Sequence, residues 1–138
     1  MGTGKTGSYL VGMKRDIENR EDIRRLIDAF YAKVRGDSVI GYFFNEVARV
    51  DWEHHLPVMV DFWDGVLFQR AGYTGNPILT HVQLNQKSPL KKEHFDQWKK
   101  LFLEAINENF EGEKAEMIGQ RAQSIATVMQ IKIAAQAV

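Results

Sequence analysis

The chain has 138 residues, 44% apolar and 26% charged, with 18 lysine and arginine residues against 18 aspartate and glutamate residues. That length suits one domain with its own core, and the charge balance leaves no electrostatic footprint for nucleic acid or an anionic membrane. Cysteine is absent, which excludes disulfides, thiolate metal sites and cysteine nucleophiles and fits a reducing compartment.

Residues 2–7, GTGKTG, contain the GKT that closes a phosphate-binding loop. That motif needs another glycine five residues before its last one and a strand leading in, and neither is present here. The expectation is a flexible polar leader over residues 1–15, with partial order around Tyr9–Val11. From Asn19 the pattern turns helical: Ile23, Leu26, Ile27, Phe30 and Val34 form one stripe. Gly36 is the expected stop. Tyr31 lies at the edge of this stripe, where its ring can lean inward while its hydroxyl seeks a partner.

Residues 37–50 predict a brief helix and a corner around Phe43 and Phe44. Asp51 is then the expected cap of a long helix reaching about Gln69, with a stripe of Trp52, His55, Leu56, Met59, Trp63, Val66 and Leu67. Adjacent helical residues point about 100° apart, so of the pair His54-His55 only one faces in. His55 falls within roughly 60° of the stripe centre and His54 about 160° from it. His55 is therefore expected inside and His54 in solvent. Pro57 leaves one carbonyl without its helical donor, a tolerable defect near the start of a helix.

AGYTGNP is a turn by composition, ILTHVQL a short apolar segment carrying His81, and NQKSP a loop. Ser88 followed by Pro89 predicts a helix opening, and the helix after it carries Phe95, Trp98, Leu101, Phe102, Ala105 and Ile106 on one face. After Glu111-Gly112 a last helix presents Ala115, Ile118, Ala122, Ile125, Met129 and Ile133. No strand, repeat or low-complexity tract emerges, and the fold class is all-α, five or six helices with short connections. No apolar run approaches the roughly 20 residues of a membrane span, and no signal-peptide core is present. A cytoplasmic protein is expected.

The four histidines form no HExxH motif and no carboxylate–histidine set of a di-iron bundle. No GxSxG is present. The inward polar groups are Tyr31, His55, His81 and the indole of Trp98, all set among large aromatics. Such a set suits a large flat apolar guest that needs coordination, as haem does. The residues alone leave open the plainer account, a hydrogen-bonded core histidine.

The run FY at 30–31, FF at 43–44, WxxHLPxMxxFW at 52–63, YxGxPxxxH at 73–81 and HFxxW at 94–98 resembles the group III truncated haemoglobins of bacteria. The likeness runs in order over about residues 16–133, and the glycine-pair motifs of the other truncated groups are missing. It implies a truncated globin fold over residues 16–138, a shortened helical sandwich around haem b (iron protoporphyrin IX). By this resemblance His81 is the proximal iron ligand. Tyr31, His55 and Trp98 are the distal donors, and Phe44 packs on the haem face. Phe30, Met59, Phe62 and Trp63 line the cavity, and His94 has no axial role. The implied ligands are dioxygen, nitric oxide and carbon monoxide.

Tyrosine and tryptophan donate without carrying charge. Each hydrogen bond to a charged group contributes about 1.5–3 kcal/mol. Two such donors predict tight oxygen binding and slow release, a poor property for oxygen transport. Redox chemistry on bound dioxygen, nitric oxide or peroxide is the better expectation, with a separate reductase returning electrons. A ligand sensor or scavenger, or an electron-transfer protein with His55 as second axial ligand, is the alternative. Arg70, Lys91 and Lys92 flank expected edges of the pocket and are candidates for the haem carboxylates.

Overall fold

The computed structural model describes residues 14–136. Most of the expected leader, with its GTGKTG run and Tyr9–Val11, lies outside the described residues. Helix α1 (Arg20–Arg35) starts where Asn19, in extended backbone, accepts the Asp22 N–H on its side chain at 2.9 Å. It buries Ile23, Leu26, Ile27, Phe30 and Val34, as the periodicity predicts, and Tyr31 with them.

The corner is a π-helical turn, Phe43–Val47, in which the Ala48 N–H reaches back to the Phe43 carbonyl at 2.9 Å. It closes tightly on the end of α1. A Cβ at Gly41 would lie 2.8 Å from the Val34 carbonyl oxygen, so only glycine allows that approach.

Helix α2 (Trp52–Phe68) follows Asp51, which holds the cap position without making a side-chain cap bond. Its fully buried residues are Val60, Trp63, Asp64 and Leu67. The stripe expected from sequence is thus split, because α2 has one face on the protein core and another, bearing His55 and Met59, on a cavity.

Helix α3 (Pro77–Lys87) replaces the expected short segment and loop. Asn76 caps it, accepting the Leu79 N–H at 3.0 Å, and Pro77 takes its first turn. Proline suits that position, since no helical acceptor awaits its missing N–H. Ser88 ends this helix and does not open the next. Pro89 acts as the stop that proline often supplies after a C-terminus. Helix α4 (Lys92–Asn109) starts from Lys91, whose backbone N–H is accepted by His94 Nδ1 at 2.9 Å.

Helix α5 (Glu113–Gln136) is the last described element, and no strand occurs among the described residues. The all-α expectation holds. Helix α4 packs on α5 and on α1, α1 on α2, and α2 and α3 on α5. Phe30, Phe102, Phe110, Ile23, Leu26, Ile27 and Ile118 form the centre of the core. Among the described residues no helix is long and apolar enough to cross a membrane.

A short strap precedes α1. Arg15 forks onto the buried Asp22 carboxylate at 2.5 and 2.6 Å. Asp16 accepts the N–H groups of Lys114 and Ala115, each at 2.8 Å, and so caps α5 from far away in sequence. Burial disfavours the Asp16 charge, but bonds from Lys114, Ala115 and Ile17 outweigh it and leave the pKa below its usual value. The Arg15 hydrogen bond lowers Asp22 in the same way. Both folded values lie below the unfolded one, so this stabilisation is complete above about pH 4 and is lost as pH falls through the lowered values. Asp16→Ala should cost about 1–2 kcal/mol in urea unfolding at neutral pH. It should also reduce the further loss as pH falls below about 4.

Candidate functional site

A cavity of about 360 Å³ opens between α2, α3, α4 and α5, within the size range of small-molecule and cofactor sites. Helix α3 faces it with Pro77, Thr80, His81 and Leu84. These occupy one helical face, at i, i+3, i+4 and i+7. The helix has no fully buried residue, and besides packing on α5 it turns this face to the cavity.

His81 is positioned by its own helix. Its Nδ1 lies 2.7 Å from the Pro77 carbonyl oxygen. A carbonyl only accepts, so Nδ1 carries the proton and Nε2 keeps its lone pair. Burial pushes the His81 pKa down, and the bond to Pro77 offsets only part of that. The side chain is a neutral imidazole with one basic nitrogen free, on the wall of an apolar cavity.

The cavity is also lined by Tyr31, Phe44, His55, Met59, Phe62, Trp63 and Trp98. Tyr31 stands edge-on to His55 at 5.4 Å and to Phe44 at 5.8 Å between ring centres, and Trp52 lies 5.2 Å away. Burial pushes its phenol pKa well above the ordinary value, so it stays a neutral donor. Trp98 stacks on Phe102 at 5.4 Å and lies nearly parallel to Trp63 at 6.4 Å. His55 is held neutral first by burial and then by the neighbouring His54 and His81. Its Nε2 is buried without a hydrogen-bond partner. Such a group calls for a ligand, water or ion to satisfy it.

Compared with models of known protein families, the chain matches none. It is 36% identical over 121 residues to a group 3 truncated hemoglobin of Campylobacter jejuni, covering 86% of this chain and 93% of that protein. A crystal structure of a group III truncated hemoglobin from Campylobacter jejuni superposes with a TM-score of 0.77 at 35% identity, covering 88% of this chain and 95% of that one.

The chain belongs to the group III truncated haemoglobins.

As a truncated haemoglobin it is a haem-binding globin, and the donor set fits that cofactor. The fit rests on the free nitrogen of His81, the orphaned nitrogen of His55 and an otherwise apolar lining. In this truncated haemoglobin the proximal, distal and cavity-wall residues expected from sequence line one cavity, with one exception. His81, Tyr31, Phe44, His55, Met59, Phe62, Trp63 and Trp98 line it, and Phe30 does not. Fully buried, it packs on Tyr31 at 4.8 Å, Trp98 at 5.6 Å and Phe102 at 4.9 Å. Its direction on α1 is about 100° from that of Tyr31. When the tyrosine faces the cavity, Phe30 faces α4 and buttresses both donors from behind.

His54 is exposed as expected, yet it borders the cavity. His94 also borders it, edge-on to Phe43 at 4.7 Å. The basic side chains placed at the pocket edge from sequence, Arg70, Lys91 and Lys92, are not among the lining residues. Arg70 instead pairs with the buried Asp64 at 3.5 Å and covers Phe68. Sequence reasoning missed Val58, Tyr73, Thr80 and Leu84 as lining residues. The spacing of Pro77, Thr80 and Leu84 around His81 was a usable signal.

Proposed function

We propose that the chain would bind haem b through His81, with Tyr31, Trp98 and His55 as the donors to a bound diatomic ligand such as dioxygen. The observation that carries this reading is the Nδ1 bond of His81 to Pro77 at 2.7 Å. It fixes the tautomer whose Nε2 serves as a metal ligand, and a hydrogen bond to the non-ligating nitrogen also raises ligand basicity. Bound there, haem would supply an iron able to take diatomic gases, and its chemistry with dioxygen would develop negative charge on oxygen.

Tyr31 and Trp98 meet that charge as neutral donors, so neither repels an approaching electrophile or competes as a base. Their preorganisation comes from the aromatic packing around them, Phe30 and Phe102 above all. Carbon monoxide, with little charge on its outer atom, gains less from the same donors. Tight holding suits reaction better than carriage. Oxidation of nitric oxide by dioxygen to nitrate and activation of peroxide both develop charge on oxygen that these donors stabilise. A separate reductase would return the electron consumed.

The unsatisfied Nε2 of His55 favours a second reading, in which His55 occupies the sixth position in the absence of ligand. Expression with haem available, followed by absorption spectra of the ferric, ferrous, oxygen and carbonyl forms, tests both. The expected result is a five-coordinate ferrous form and a stable oxygen complex. A six-coordinate ferrous form that reverts to five-coordinate in His55→Leu would select the second reading. Absence of a Soret band would overturn haem binding altogether.

A further inference from the structure

We propose that His54 is the side chain that receives the cofactor carboxylates at the mouth of the cavity, an inference that rests on the haem reading above. Among the described lining residues, His54 and Thr80 are the exposed ones, the rest being buried or half-buried. They lie in the first turns of α2 and α3 and mark where the cavity meets water. Elsewhere the wall includes the buried apolar side chains of Phe43, Phe95 and Met129.

A haem has one hydrocarbon edge and one edge with two carboxylates. An ionised carboxylate without a partner is not carried into an apolar wall, so the charged edge lies at the mouth. There the Thr80 hydroxyl is already committed, donating to the Asn76 carbonyl at 3.0 Å. Arg70 is engaged by Asp64, and Lys92 by Asp96 at 2.7 Å. Tyr73 and His94 also line the cavity but are half-buried, and the His94 ring already accepts the Lys91 N–H. His54 remains as the exposed lining donor. The two adjacent histidines then divide the cofactor between them. His55 turns toward the ligand face, and His54, about 100° away on the helix, turns to the carboxylate edge.

The test measures transfer of haem from the holoprotein to an excess of haem-scavenging apoprotein. It compares wild type, His54→Leu, His54→Lys and Lys91→Leu, each loaded with native haem or with its dimethyl ester. His54→Leu is expected to lose native haem roughly three- to tenfold faster, the scale of a partly exposed charge-assisted bond. His54→Lys and Lys91→Leu should stay within about twofold of wild type. With the ester, which removes the carboxylate charge, His54→Leu and wild type should lose haem at the same rate.

Equal loss of native haem from His54→Leu and wild type would overturn the proposal. So would a difference that persists with the ester, since that would make His54 a packing residue. Failure of the wild type to take up haem is visible before any variant is compared, and it would sink the haem reading itself.

Discussion

Replacing His81 with alanine is expected to abolish normal haem ligation, with retention falling roughly a hundredfold or more. The expectation is sharp because no other cavity-lining residue of α3 offers a basic nitrogen. Pro77, Thr80 and Leu84 share the helix face with His81, and none of them is a ligand. The substitution should spare the fold, since α3 has no fully buried residue and alanine favours helix. Far-ultraviolet circular dichroism checks that point. The absorption spectrum of the ferrous form checks ligation, and added imidazole should restore it by filling the vacated space. An unchanged ferrous spectrum in His81→Ala would remove the proximal assignment.

Tyr31→Phe and Trp98→Phe are each expected to speed oxygen dissociation by roughly ten- to a hundredfold. The tyrosine substitution is the cleaner one. It removes a single oxygen and leaves the ring among Phe30, Phe44, Trp52 and His55. Trp98→Phe also sacrifices stacking on Trp63 and Phe102, so a stability cost of about 1–2 kcal/mol should accompany it. Stopped-flow displacement of oxygen measures both rates. The double variant tests whether the donors act on one ligand, because independent effects would add. Carbon monoxide dissociation should move far less. Burial pushes the Tyr31 phenol pKa up, so the tyrosine effect should hold unchanged from about pH 6 to pH 10. Two variants that release oxygen at the wild-type rate would refute this distal arrangement.

The helices that pack on protein were legible in the residue order. Ile23, Leu26, Ile27, Phe30 and Val34 announce α1, and Phe95, Leu101, Phe102, Ala105 and Ile106 announce α4, because their apolar stripes meet other apolar stripes. Helix α3 was not legible in the same way. The face it turns inward reads Pro77, Thr80, His81 and Leu84, while Ile78 and Leu79 are exposed. A helix whose inner face lines a cavity need not present a continuous apolar stripe to other helices, and the hydrophobic period fades accordingly. The cap and first-turn proline, Asn76 and Pro77, were the clearer markers of its start. The opening of α4 was misplaced for a related reason: Ser-Pro serves a helix end as readily as a beginning, and only the Asn85 side chain on the Leu90 N–H and the His94 ring on Lys91 set the true start.

The order of residues by itself determined the helical class, the family and the inward turn of His55, since each depends on local spacing or on motifs along the chain. The turn of its own helix decided which nitrogen of His81 is free, and tertiary structure set Phe30 behind Tyr31 and Trp98 instead of on the cavity. It also put the exposed His54 on the rim of the cavity. Those outcomes depend on what faces a side chain from another turn or another helix. A carbonyl four residues back, a neighbouring aromatic on α4 and an opening between α2 and α3 settle them, and helical phase alone does not.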